Sequence, residues 1–330
     1  MSRRTFTAAL VVLIPLSVVA GLRFGTVPLT TTDVLAALMG SGDPIPRDIV
    51  LDFRLPRVLL ALIVGGGLAV AGATFQALLR NPLAEPYILG VSGGASVGAV
   101  LVLALGWTAA GSWALPIAAF AGALLAIALV FGVAGSTGQG LDVRVLLLSG
   151  VVIAAFFGAV IALILALSPA RTVQGAVLWM MGSLAGAEWR SVVLAATYSI
   201  PAVLLLLFQA RALNVMAIGE ETAAYLGTEV ERVKRLSLVV AALITAAGVA
   251  VAGVIGFVGL VVPHVVRILT GSDHRYLLPF CFAAGGVFLA WADLIARVVL
   301  PPNEIPIGVV TAFVGVPFFL VLLRRSVSAR

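Results

Sequence analysis

Apolar runs of about twenty residues recur along the whole chain, separated by short stretches that gather the glycines, prolines and charges. A helix needs about 20 such residues to cross about 30 Å of hydrocarbon. The punctuation places spans near 6–24, 57–79, 88–106, 114–134, 145–167, 191–209, 236–255, 257–269, 279–299 and 306–323. The pattern therefore predicts an all-α polytopic membrane protein of about ten transmembrane helices, folded as a single domain over 1–330. The first run has a second reading, a cleaved leader, because Arg3 and Arg4 precede it and Val19, Ala20 and Gly21 end it. The stretch 236–269 is too long for one helix and carries Gly253, Gly256, Gly259 and Pro263, so a broken pair of helices is predicted. Breaks at membrane depth are tolerated only where protein or a cavity covers the freed backbone.

One segment occurs twice. Residues 54–90 align without a gap on 235–271, with 14 identities in 37 positions. An alphabet rich in Ala, Val, Leu and Gly inflates chance matches, so the weight falls on Arg54 with Arg235, Gly67 with Gly248, Gly72 with Gly253, Pro82 with Pro263 and Gly90 with Gly271. Internal repeats are a common construction of transporters. Repeat halves near 54–167 and 235–325 are expected.

Composition excludes a soluble domain: 62% of residues are hydrophobic and 10% charged, against about a quarter charged in ordinary soluble chains. The net charge of +6 would point to nucleic acid in a soluble protein, but here the basic residues sit in short loops and report topology, so no nucleic-acid partner is expected. With the N-terminus inside, thirteen of the twenty basic residues fall on the cytoplasmic side, and the C-terminus is cytoplasmic too. In that orientation Arg54 starts its helix outside and Arg235 starts its helix inside, so the repeat is expected to be inverted. Arg54 and Arg57, three apart, are expected on one face at the outer rim. Such arginines either snorkel to headgroups or form a docking surface for carboxylates. Cys281 lies in an apolar run and reads as a small core side chain.

The longest polar stretch, 211–235, is expected in the cytoplasm. Gly219 and Gly227 bracket a short helix whose first turn carries Glu220 and Glu221, favourable at the positive end of a helix dipole. Thr228 and Glu231 have the spacing of a capping box for the next helix. Val215, Met216, Ile218, Tyr225 and Leu226 are expected to face water unless another protein covers them.

No phosphate-binding G-x-x-x-x-G-K-[ST] occurs, and the only lysine is Lys234. Energy must come from a partner or from an ion gradient. A gradient-driven carrier would need relays inside the membrane, and the candidates are few: Asp293 near the outer end of a span, His264 beside a helix break and Glu85 in a cytoplasmic turn, and Asp293 with Arg297 at i and i+4 is better placed as a local ion pair. His264 and His274 lack metal-ligand spacing, so no metal site and no catalytic residue is assigned, and an intramembrane enzyme is not expected. Glycines at 65–67, 94–98 and 182–186 offer close helix approach.

RLPR at 54–57, QALLRNPLAEPYILGVSGGASVG at 76–98, GEETAAYLG at 219–227, GFVGLVVPHVVR at 256–267, SDHRYLLP at 272–279, ADLIAR at 292–297 and EIPIGVVTAFVGVPFFLVLLRR at 304–325 together resemble the FecCD/BtuC-type permease subunits of binding-protein-dependent ABC importers for iron chelates, haem and cobalamin. The resemblance covers nearly the whole chain. It implies a ten-helix, BtuC-like subunit of a bacterial inner membrane that pairs with a second copy of itself, two ATPase subunits and a periplasmic binding protein. ATP and Mg would be bound by the partner ATPase, with no cofactor in this chain. It further implies that Arg54, Arg57 and Arg297 dock the binding protein. Residues 219–227, with Gly219, Glu220, Glu221, Ala224, Leu226 and Gly227, would form the helix that couples to the ATPase. The inner gate would map onto Asn81 and Leu83 and onto Asp142 and Val143, where the charge of Asp142 departs from the small hydroxyl residues of the cobalamin importer. Arg171, Trp179 and Met180 would lie along the pathway. An iron chelate, siderophore or haem, is the cargo expected, with cobalamin as the alternative and a secondary transporter as the alternative of another class.

Overall fold

The computed structural model describes residues 2–107, 113–136 and 141–328, without the side chains of 323 and 325–328. It is all-helical among those residues. In chain order the α-helices are α1 Arg3–Arg23, α2 Thr31–Leu38, α3 Pro44–Asp48, α4 Leu55–Leu78, α5 Val91–Ala104, α6 Ala114–Ser136, α7 Val143–Ala166, α8 Ala170–Met180, α9 Trp189–Phe208, α10 Ala210–Met216, α11 Glu220–Tyr225, α12 Val230–Ala252, α13 Val258–Thr270, α14 His274–Val298 and α15 Ile307–Ser328. A π-helical stretch, Ile49–Arg54, leads into α4, and a 3-10 turn, Pro86–Leu89, precedes α5. Among the described residues seven helical segments are long and apolar enough to cross a membrane, and Val91–Ala104, Val258–Thr270 and Ile307–Leu322 are shorter apolar helices. Each of these ten lies on one of the runs read from the sequence.

Side-chain chemistry sets several of the boundaries. Ser2 caps α1 by accepting from Thr5 N at 3.2 Å, and Thr30 with Asp33 forms a reciprocal capping box on α2. Asp142 accepts from the backbone of Arg144 at 2.7 Å and opens α7. The predicted box of Thr228 and Glu231 does not form: Glu229 occupies the N-cap of α12 without a side-chain bond. Glu231 instead accepts from Leu141 N and stands in ion-pair range of Lys234.

The centre of the bundle is α4, most of whose residues are buried, whereas α7 buries only Leu146, Ser149, Gly150, Ile153 and Phe157. It packs on α14, α12, α9 and α13. Backbones meet closely because glycines face one another: a Cβ on Gly65 would lie 2.3 Å from the Gly285 carbonyl, and one on Gly72 1.9 Å from that of Gly259. α5 and α6 approach in the same way through Gly94 and Gly122. Gly182 and Gly186 instead lie in the turn between α8 and α9, where Gly182 has φ +75°. Cys281 is buried in the core, as its setting predicted.

The long run 236–269 is broken, at Gly253. α12 ends there at φ +68°, and after four more residues α13 restarts with Phe257, itself at φ +68°, as its cap. The freed backbone is covered by side chains from the turn after α4: Phe257 N donates to Glu85 at 2.7 Å, Ile255 N donates to the Tyr87 hydroxyl at 3.2 Å, and that hydroxyl donates to Ile255 O at 3.0 Å. Burial pushes the Glu85 carboxyl above its ordinary pKa, with the Phe257 N–H opposing the rise.

Candidate coupling surface and translocation pathway

The short helix α11 stands between two glycines with positive φ, Gly219 at +151° and Gly227 at +80°. Six residues are too few to hold a helix in water without help. Its one fully covered side chain is Ala223, and it packs on α10 and α12. Outward, Tyr225 is 91% exposed, Leu226 66% and the preceding Ile218 71%, while Glu221, Ala224 and Gly227 are also exposed. Met216 is buried and Val215 half-buried, contrary to expectation, because α10 turns that edge onto the bundle core. The apolar knob is therefore formed by Ile218, Tyr225 and Leu226.

Glu220 does not face outward with Glu221. It turns back to Lys234, whose Nζ lies 2.9 Å from Glu220 Oε2, 2.6 Å from the Leu141 carbonyl and 3.6 Å from Glu231 Oε1. Lys234 is 1% exposed. A buried ammonium is tolerated only when paired and hydrogen-bonded, and two hydrogen bonds with two carboxylates in ion-pair range meet that demand. Composition singled Lys234 out only as the sole lysine; its role depends on segments that the sequence does not connect.

The residues assigned to the inner gate lie in two places. Asn81 accepts from Leu83 N at 2.9 Å in a tight turn after α4, and Leu83 is exposed. Asp142 and Val143 stand at the start of α7, beside a polar cavity of about 720 Å3 shared with Arg80, Glu220 and Glu221. Among the described residues no hydrogen bond or ion pair joins the two pairs within one chain. The carboxylate of Asp142 has a local reason, the capping of α7.

On the opposite side of the bundle, Arg54, Arg57 and Arg297 turn inward. Arg54 is 5% exposed and donates to the carbonyls of Leu22 and Arg23, both at 2.7 Å, and of Val27, satisfying the open end of α1. Arg57 grips Asp293, Nε to Oδ1 at 2.9 Å, and forks onto Glu304 at 3.0 and 2.9 Å. Arg297 donates to Gly21 O at 2.8 Å and stands 3.3 Å from Asp293, the predicted i, i+4 pair. Arg54, the last residue of the π-helical turn, and Arg57, in the first turn of α4, thus bind different partners. In this structure each of the three arginines is bound within the chain, and Glu304 is the more exposed member of the cluster.

Of the three residues assigned to the pathway, Met180 lines an apolar cavity of about 540 Å3 with Met181, Gly256, Phe257, Gly308 and Phe313. Trp179 packs on the core, and its carbonyl abuts Gly253. Arg171 is exposed in the first turn of α8 and does not line that cavity. The broken helix therefore supplies one wall of the cavity and α15 another. Among the described residues no group of three His, Cys, Asp or Glu is placed to hold a metal.

The model of the FecCD transport family matches residues 10–325. The chain belongs to the FecCD transport family. FecCD relatives include the hemin transport system permease protein HmuU of Yersinia pestis, 41% identical over 85% of this chain and 84% of that protein. A cobalamin import system permease protein, BtuC of Halobacterium salinarum, is 44% identical over 90% and 80%. The iron(3+)-hydroxamate import system permease protein FhuG of Bacillus subtilis is 38% identical over 92% of each. An inward-facing metal-chelate type ABC transporter has the same architecture, with TM-score 0.86 at 30% identity over 96% of this chain and 98% of that one. A FecCD chain is a multi-pass permease of the ABC importer class, which removes the gradient-driven carrier and the intramembrane enzyme from consideration.

Proposed function

We propose that the chain is the membrane subunit through which an iron chelate, a siderophore or haem, enters the cell. The observation that carries this reading is the exposed knob of Ile218, Tyr225 and Leu226 on a helix held between glycines, in a FecCD chain whose sequence has no phosphate-binding loop. Such a knob fits a socket on a partner ATPase, which binds ATP and Mg. Two copies of the chain face each other across the cavity lined by Met180 and α15, in the bacterial inner membrane with both termini cytoplasmic. Repeat halves near 54–167 and 235–325 tilt in opposite senses as the ATPases close.

A periplasmic binding protein delivers the cargo. Its carboxylates reach Arg57 by replacing Glu304, which is the exposed partner of that guanidinium; Arg54 and Arg297 support the same cluster from behind. Relatives at comparable identity carry the names of haem, hydroxamate and cobalamin systems, so cargo is settled by uptake.

The test is reconstitution with ATPase and binding protein in liposomes, with ATP-dependent uptake of haem, a ferric siderophore and cobalamin measured side by side. Accumulation of haem or the siderophore is expected. Accumulation of cobalamin alone would replace the cargo, and ATPase activity unmoved by the permease and binding protein would overturn the proposal.

A further inference from the structure

We infer that Lys234 is a positioning residue that locks α11, the start of α12 and the start of α7 into one moving body, so that a push on α11 is delivered to the mouth of α7. The inference rests on the proposed coupling role of α11 and adds to it the route by which motion leaves that helix.

The two elements to be joined face each other across the polar cavity of about 720 Å3, lined on one side by Gly219, Glu220 and Thr222 and on the other by Asp142, Val143 and Arg144. Across that space packing cannot transmit a displacement. Among the described residues the polar contacts leading from α11 to Leu141 run through Lys234. Its Nζ holds Glu220 of α11 at 2.9 Å and the Leu141 carbonyl at 2.6 Å, groups 14 and 93 residues away in sequence. Glu231, one turn before Lys234 on α12, accepts from Leu141 N at 3.2 Å. Both backbone groups of Leu141 are therefore held by α12 side chains, and the next residue, Asp142, is the cap of α7.

A lysine suits this place for physical reasons. The ammonium hydrogen-bonds an acceptor on α11 and one on the segment entering α7, and a second carboxylate, Glu231 on α12, stands within ion-pair distance. Its stem is covered, so the charge is not available to a partner protein. An apolar residue of similar size would fill the volume but would remove the direct tie between Glu220 and Leu141, leaving only the packing of α11 on α12 and the Glu231 bond to Leu141 N. A buried ion pair is weak evidence for stability, and its best-attested use is fixing one arrangement among several. Here the arrangement fixed is that of a driven element against the element it drives.

The test uses the whole chain in its complex with the ATPase and binding protein, with Lys234→Met as the principal variant and haem as the transported probe. ATPase subunits are expected to co-purify and hydrolyse ATP with Lys234→Met, while haem taken up per ATP falls about tenfold. Spin labels on Thr222→Cys and Arg144→Cys report the geometry directly. With Lys234 present their separation is expected to stay narrow and unchanged when nucleotide is added; in Lys234→Met it broadens and shifts. Glu220→Gln, at a half-exposed carboxylate, is the second variant should Lys234→Met fail to fold, and the same loss of coupling in smaller measure is expected. Glu229→Gln is the control, since among the described residues the Glu229 carboxylate pairs with Arg232 alone, at the exposed surface. Unchanged uptake per ATP together with an unchanged label separation in Lys234→Met or Glu220→Gln would overturn the inference. Failure of the native chain to bind the ATPase would overturn the proposed function instead, and the label separation in the isolated chain, with and without Lys234, would still decide the role of the lysine.

Discussion

The two copies of the repeated segment share sequence but not shape. In the first, residues 54–78 run through an unbroken α4 at the centre of the bundle; in the second, the matching stretch is cut at Gly253 into α12 and α13. The paired glycines Gly72 and Gly253 show why. Gly72 is helical and makes room for a neighbour, since its missing Cβ is where the Gly259 carbonyl sits. Gly253 adopts φ +68° with ψ −167°, a conformation that L side chains rarely take, and there the helix stops. One residue type at one register thus closes a helix interface in one copy and opens a helix in the other. The same surroundings decide both: Glu85 and Tyr87, which belong to the first copy and lie in the turn after α4, supply the hydrogen bonds that the interrupted second copy needs.

Substitutions can break this contrast in order of effect, each read as thermal unfolding of the purified protein in detergent. Gly72→Val is expected to cost most, about 4 kcal/mol or outright loss of folded protein, because backbone rather than a flexible side chain lies 1.9 Å from the new Cβ. Full stability would show that α4 and α13 can separate freely. Gly253→Ala should cost about 3 kcal/mol, from the strained backbone and from the Trp179 carbonyl 2.4 Å from the added methyl. A rise in stability would mean that α12 prefers to continue unbroken. Tyr87→Phe is expected to cost about 2 kcal/mol, since it leaves both backbone groups of buried Ile255 without the hydroxyl. Glu85→Gln should cost under about 1 kcal/mol, because the amide oxygen still accepts from Phe257 N. A loss as large as that of Tyr87→Phe would show that the charge, and not the acceptor, holds α13.

Much of the fold was legible because the hydrocarbon of a bilayer imposes length and composition on each span. The break at Gly253 and the glycine bracket around α11 were legible because those glycines mark backbone that other residues adopt poorly. The outer arginines were not. Arg57 meets Asp293 and Glu304, 236 and 247 residues away, and no spacing near Arg57 announces them. The capping reading of Thr228 and Glu231 failed for the same reason: a local bond lost to Leu141 and Lys234, which only the packed chain brings near. Likewise the pathway assignment kept Met180 on a cavity and left Arg171 outside it, since exposure and lining depend on how α8 leans toward α15.

By itself, the sequence determined a polytopic helical membrane protein without a nucleotide loop, the order and approximate limits of its spans, and a short polar-loop helix between glycines, because these follow from solvent, hydropathy and backbone chemistry that act within a few residues. Which of its charged residues face outward and which are bound inside, where Lys234 finds its partners, and which side chains cover the backbone freed at Gly253 were decided only in the tertiary structure, because a buried charge or a freed backbone group is stable only beside partners that distant parts of the chain deliver.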